Sequence, residues 1–191
     1  MSDWDRRYRE GRVRCRGSTG PLKRWKHRTI ETYVGPIAEA SVIDVGCGDA
    51  RFWTWTKKPR HYAGIDGSLT AITKAMRVLP NARMYNVDAG EFIPSLVAPV
   101  VLAIDLVFHL MDRPTVEATL TNLTRYSTGV ILVYTWVNSP GPYDESFQCY
   151  WNMDDFEEIF TEDNFKRVAL ARNKHDRIGG MYVYKKVGLL K

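Results

Sequence analysis

At 191 residues, with 45% apolar and 12% aromatic content, the chain is long enough for one domain with its own core, and its composition excludes a disordered polymer. No apolar run reaches the ~18 residues of a membrane span, and the opening MSDWDRRYRE lacks the apolar stretch of a secretory signal. The net charge of +5 is unevenly spread: residues 1–28 carry 10 Lys/Arg against 3 Asp/Glu, and residues 29–191 carry 17 against 19.

The basic character therefore belongs to an N-terminal arm, residues 1–21, ahead of a single domain over 22–191. Such an arm suits phosphate or another acidic ligand, and nucleic acid is one partner it would accept, through residues 6–28. A solvated terminus is the other reading. The three cysteines, Cys15, Cys47 and Cys149, are scattered and form no C-x-x-C pair. That argues for no metal site and for a reducing, cytoplasmic setting.

Behind the arm, LKRWKHRTIETYVGPIAEA spaces Leu22, Trp25, Ile30, Tyr33, Val34 and Ile37 as one face of an amphipathic helix. SVIDVG then reads as a short buried strand, DARFWTWTKK as a short helix and HYAGID as a second strand. SLTAITKAMRVLP is a helix with Ser68 as N-cap and Pro80 beyond its end, and ARMYNVDA is a third strand. PVVLAIDLVF is a near-continuous apolar run, as expected of a strand buried on both faces of a parallel sheet. RPTVEATLTNLTRY is a helix with Pro in its first turn, and GVILVYTWV is another buried strand. SPGPYDESFQCYWN is an aromatic loop bearing Pro and Gly. MDDFEEIF is a short helix, and FKRVALARNK with GGMYVYKKV forms a closing hairpin. The alternation predicts an α/β fold: a seven-stranded, mostly parallel sheet, one antiparallel strand in the terminal hairpin, and helices on both faces.

In such a sheet, ligands bind at the carboxyl ends of strands near the switch in strand order, where VIDVGCGDAR falls. Gly46-Cys47-Gly48 lacks the third glycine of the dehydrogenase fingerprint, and Asp44 and Asp49 flank it. Carboxylates there repel a pyrophosphate and suit a ligand carrying an ammonium group.

Asp44-Val45-Gly46-Cys47-Gly48-Asp49-Ala50 resembles the first motif of the class I S-adenosylmethionine-dependent methyltransferases, with Ala in the third small position. YAGIDGS, NVDAGEF and IDLVFHLMD resemble the ends of that family's second, third and fourth strands, and the C-terminal helix and hairpin are also similar to it. The likeness spans residues 22–187 and implies a Rossmann-like fold binding S-adenosyl-L-methionine, with S-adenosyl-L-homocysteine as product. It also implies cofactor contacts from Asp44, Gly46, Cys47 and Gly48, and from Asp66 and Gly67 at the ribose. Asp88 and Ala89 would meet the adenine, and Asp105 is a further cofactor-side acid. His109 is either a general base for the acceptor or a packing residue.

WDRRYREG resembles the opening of small-molecule members of the tellurite and thiopurine type. It places Trp4, Tyr8 and Trp25 either over the cofactor or as staples. No N/D-P-P-Y/F motif follows the fourth strand, and the aromatic loop (Tyr143, Phe147, Tyr150, Trp151, with Asp144 and Glu145) suggests a pocket. The expected acceptor is a small, apolar or cationic molecule; RNA or protein acceptors, or cofactor binding without transfer, are the alternatives.

Overall fold

The computed structural model describes residues 3–13, 16–139, 141, 145–173 and 175–188. Seven strands form one sheet: β1 Ser41–Val45, β2 His61–Ile65, β3 Arg83–Tyr85, β4 Ala98–Ile104, β5 Ser127–Trp136, β6 Phe165–Asn173 and β7 Asp176–Lys186. Their order is β3-β2-β1-β4-β5-β7-β6. The apolar runs become β4 and β5, paired in parallel at the centre. Only β7 runs against its neighbours, antiparallel to both β5 and β6. The link from Asn173 to Asp176 is too short for the crossover that a parallel pair would need.

Five helices flank the sheet: α1 Asp3–Arg9, α2 Gly20–Val34, α3 Leu69–Val78, α4 Arg113–Tyr126 and α5 Glu157–Glu162. One core packs Val116 and Leu120 of α4 and Phe160 of α5 against Ile43, Val101 and Val133. The other packs Ile30 of α2 and Ile72 of α3 against Val42, Leu102 and Leu132. Ser68 caps α3, its Oγ accepting from Ala71 N at 3.1 Å. None of the described helices is long and apolar enough to cross a membrane.

The helix expected over DARFWTWTKK is reduced to a single 3-10 turn, Arg51–Trp53. Ala50 and Trp55 on either side have φ of 54° and 59°, which no right-handed helix accommodates. Lys23 Nζ replaces the missing helical donors, bonding Arg51 O at 3.0 Å and Thr54 O at 2.5 Å. Trp53 is thereby driven fully into the core.

The segment read as an arm is folded where it is described. Asp5 on α1 accepts from Ser68 Oγ at 3.0 Å and Thr70 N at 2.8 Å, at the N-terminus of α3. Lys74 Nζ on α3 donates to Tyr8 O at 2.8 Å.

Candidate functional site

β1 lies between β2 and β4, so the chain winds outward from it in both directions and the switch point falls between β1 and β4. A cleft of about 900 Å³ opens there. All eleven residues singled out in the sequence line it: Asp44, Gly46, Cys47, Gly48, Asp66 and Gly67, then Asp88, Ala89, Asp105, His109 and Tyr8.

The glycine turn is held shut by its own surroundings. Gly46 N and Cys47 N both donate to Ile65 O, at 2.8 and 3.0 Å. Gly48 N donates to Asp66 Oδ2 at 2.9 Å, Ala50 N to Cys47 O at 3.1 Å and Arg51 N to Asp49 Oδ1 at 3.1 Å. These amides therefore form no anion cradle, and the 3-10 turn behind them supplies no helix N-terminus. Gly48 has φ of 55°, and a Cβ there would fall 2.4 Å from Tyr8 Oη. At Gly67 a Cβ would fall 2.2 Å from Asp88 Oδ1, so the second and third strand ends meet only because this residue has no side chain.

The carboxylates have distinct duties. Asp44 is buried and its Oδ2 accepts from Tyr62 Oη at 2.7 Å and Trp53 Nε1 at 3.1 Å. Burial pushes its pKa up to about 6, against the pull of those two donors. Asp66 uses both oxygens on backbone amides, Oδ2 on Gly48 and Oδ1 on Ser68 at 2.9 Å each. Burial raises its pKa to about 6 as well, the two amides opposing.

Asp105, in left-handed backbone at φ 59°, holds Lys26 Nζ with both oxygens at 2.7 Å. Lys26 is wholly buried, and its ammonium also lies 3.7 Å from the centre of the Tyr134 ring. Burial pushes the Lys26 pKa down while Asp105 pushes it back up. Asp105 is thus occupied by Lys26 of α2, which the sequence shows only as one of the basic residues of 1–28.

His109 Nδ1 lies 2.9 Å from Phe147 O, so Nδ1 carries the proton and Nε2 the lone pair. Burial lowers its pKa to about 4, and the ring is neutral at pH 7. The aromatic loop divides in two. Phe147 lines the cleft, whereas Trp151 donates from Nε1 to Leu110 O at 2.8 Å and packs on the core. Glu145 is exposed, and Tyr143 and Asp144 lie outside the described residues.

Trp4 and Tyr8 line the cleft, while Trp25 packs on the core through Tyr134. Arg7, Tyr134 and Trp136 also line it and were not anticipated. For Arg7 a signal existed, because it shares one face of α1 with Trp4 and Tyr8.

No protein-family model matches the chain, and no curated protein matches it. Solved structures do. N-methyltransferase NodS from Bradyrhizobium japonicum WM9, in complex with S-adenosyl-L-homocysteine, superposes with a TM-score of 0.74 at 12% identity, over 97% of this chain and 100% of that one. Burkholderia thailandensis 1,6-didemethyltoxoflavin-N1-methyltransferase, with bound 1,6-didemethyltoxoflavin and S-adenosylhomocysteine, gives 0.73 at 16% identity, over 96% and 85%. A TehB-like SAM-dependent methyltransferase from Corynebacterium glutamicum gives 0.66 at 17% identity, over 95% and 93%. The chain has the Rossmann-like methyltransferase fold.

Proposed function

We propose that this protein is an S-adenosylmethionine-dependent methyltransferase acting on a small-molecule acceptor. The observation that carries this reading is the glycine turn. Its amides are engaged internally, while Asp44, Asp66 and Asp88 face the cleft. The turn amides of Gly46, Cys47, Gly48, Ala50 and Arg51 are engaged and offer a pyrophosphate nothing, whereas a ligand with hydroxyl and ammonium donors finds acceptors in the carboxylates. Neighbours in fold crystallised with S-adenosylhomocysteine support the same reading.

On this reading Asp66 holds the ribose hydroxyls, Asp88 and Ala89 the adenine edge, and the Gly46–Gly48 turn the amino-acid end. When bound, S-adenosylmethionine supplies a methyl group made electrophilic by its sulfonium centre. The chain's own residues then position the acceptor and exclude water. Tyr8 closes over Gly48. His109 is neutral, and its Nε2 accepts an N–H or O–H of the acceptor, orienting the nucleophile.

The positive charge of the N-terminal region is divided between the interior and the surface. Lys23 and Lys26 are buried, Arg9 bonds Asp5 at 2.8 Å and Arg7 lies in the cleft. Arg6, Arg9, Arg12, Arg24 and Arg28 stay exposed, so the small-molecule reading rests on the cleft and not on this charge. A cytoplasmic setting suits the free thiols of Cys47 and Cys149.

Calorimetry with S-adenosylhomocysteine and with NAD tests the cofactor: the first is expected to bind and the second not. Binding of NAD alone would sink the proposal. Transfer of a tritiated methyl group into the small-molecule, RNA or protein fraction of a cell extract then identifies the acceptor class.

The affinity for S-adenosylhomocysteine is expected to fall in acid. The Asp66 pKa is raised to about 6 in the free protein, and hydroxyl donors bind its ionised form. Protonation therefore competes with the ligand, and affinity at pH 5 should be about tenfold below that at pH 7. A flat profile between those values would remove Asp66 from the ligand's contacts.

A further inference from the structure

Away from the glycine turn the cleft changes chemistry. Phe108 and Trp136 stack with ring centres 4.8 Å apart and planes within 6°. Trp4 meets the His109 ring edge-on at 4.6 Å, Phe147 stacks on that ring at 5.9 Å, and Trp4 and Phe147 meet edge-on at 6.4 Å. The result is a chamber walled by flat surfaces, which accommodates a planar ring by stacking and edge contacts.

A cation borders this chamber. The Arg7 guanidinium lies 3.9 Å from the centre of Phe147 and 5.4 Å from that of Trp4. Its Nε is buried and has no hydrogen-bond partner. Leaving a buried donor of a charged group unmet costs about 1–3 kcal/mol or more, so a position of this kind calls for an acceptor from outside the chain.

No carboxylate of the described residues bonds this Nε, and those around the cleft are turned to other donors. Asp44 serves Trp53 and Tyr62, Asp66 serves two amides, and Asp105 serves Lys26. Asp176 at the rim accepts from Ile178 N and Gly179 N, at 3.1 Å each.

We propose that the methyl acceptor is a planar aromatic or heteroaromatic acid, its ring held between the aromatic walls and its carboxylate on Arg7. This rests on the methyltransferase reading above and specifies its substrate. A guanidinium matches a carboxylate with two parallel donors, which orients the ring as well as attracting it. His109 Nε2 then faces an N–H or O–H on the same ring. A cationic acceptor, one of the classes expected from the sequence, would meet the like charge of Arg7 in this chamber.

Two matched pairs of probes test this by calorimetry with S-adenosylhomocysteine saturating: quinoline-2-carboxylate against quinoline-2-carboxamide, and 2-aminobenzoate against 2-aminobenzamide. At least one acid is expected to bind about tenfold tighter than its amide. In Arg7→Met, which keeps the stacked bulk, that preference should collapse while affinity for S-adenosylhomocysteine stays unchanged. Arg7→Lys should retain part of the preference, and thermal melting confirms that both variants fold. Equal affinities, no binding by any probe, or a preference that survives Arg7→Met would overturn the inference. A loss of S-adenosylhomocysteine affinity in Arg7→Met would assign Arg7 to the cofactor instead. Failure of the wild-type protein to bind S-adenosylhomocysteine would defeat the methyltransferase reading itself, a separate result.

Discussion

Asp66→Asn is expected to weaken S-adenosylhomocysteine binding about a hundredfold, or about 2.8 kcal/mol. The two oxygens of Asp66 each accept a backbone amide, one from Gly48 in the glycine turn and one from Ser68 at the start of α3. An asparagine of the same shape must turn its NH2 towards one of those N–H groups. One tether is then lost, and the turn separates from the second strand end. The ligand's hydroxyls also lose a charged acceptor, and a hydrogen bond to a charged group is worth about 1.5–3 kcal/mol. Isothermal calorimetry reads the change directly. If Asp66→Asn binds within threefold of wild type, Asp66 is a turn residue and the ligand is held elsewhere.

The second large effect concerns stability. Lys26→Met is expected to cost about 3 kcal/mol, lowering Tm by about 6–12 °C for a chain of this size. Methionine keeps the apolar stem that packs inside α2, so the loss reports the charge and not the volume. What remains is Asp105 facing a site without its cation. Its side chain is 25% exposed, which admits some water and sets the cost near the lower end of the range for a broken buried pair. Adding Asp105→Asn should recover most of the loss, since neither charge is then left alone. Thermal melting and urea titration of the single and the double variant test this. A Tm within about 2 °C of wild type for Lys26→Met would show that the pair carries no stability.

These two residues also show how unevenly the sequence could be read. Asp66 was legible because the strand ends impose a regular order. Each apolar run stops at a polar turn, and the carboxylates at 44, 66, 88 and 105 fall at successive stops. The sheet was legible for the same reason, β4 being apolar throughout and β5 from Val130 to Tyr134. Lys26 was not legible. Its partner is 79 residues away, and a lysine in a basic segment carries no local mark of burial.

The 3-10 turn at Arg51–Trp53 was misread for a related reason. DARFWTWTKK has helical composition, but the donors that decide its shape come from Lys23 on α2. Arg7 was absorbed into the arm's charge, although its position beside Trp4 and Tyr8 on one helical face was available. Local pattern reveals elements; it does not reveal which charges turn inward.

The first helix has a consequence for how the protein breathes. Seven residues are too few to sustain a helix in water, so α1 keeps its form through its attachments, to α3 at Asp5 and Tyr8 and to His109 and Phe147 at Trp4 and Arg7. Amide hydrogens of α1 should therefore exchange orders of magnitude faster than those of β4. The mouth of the cleft and the centre of the sheet belong to separate cooperative units. With that result, ligand traffic would draw on an inexpensive local melting event that leaves the seven strands in register.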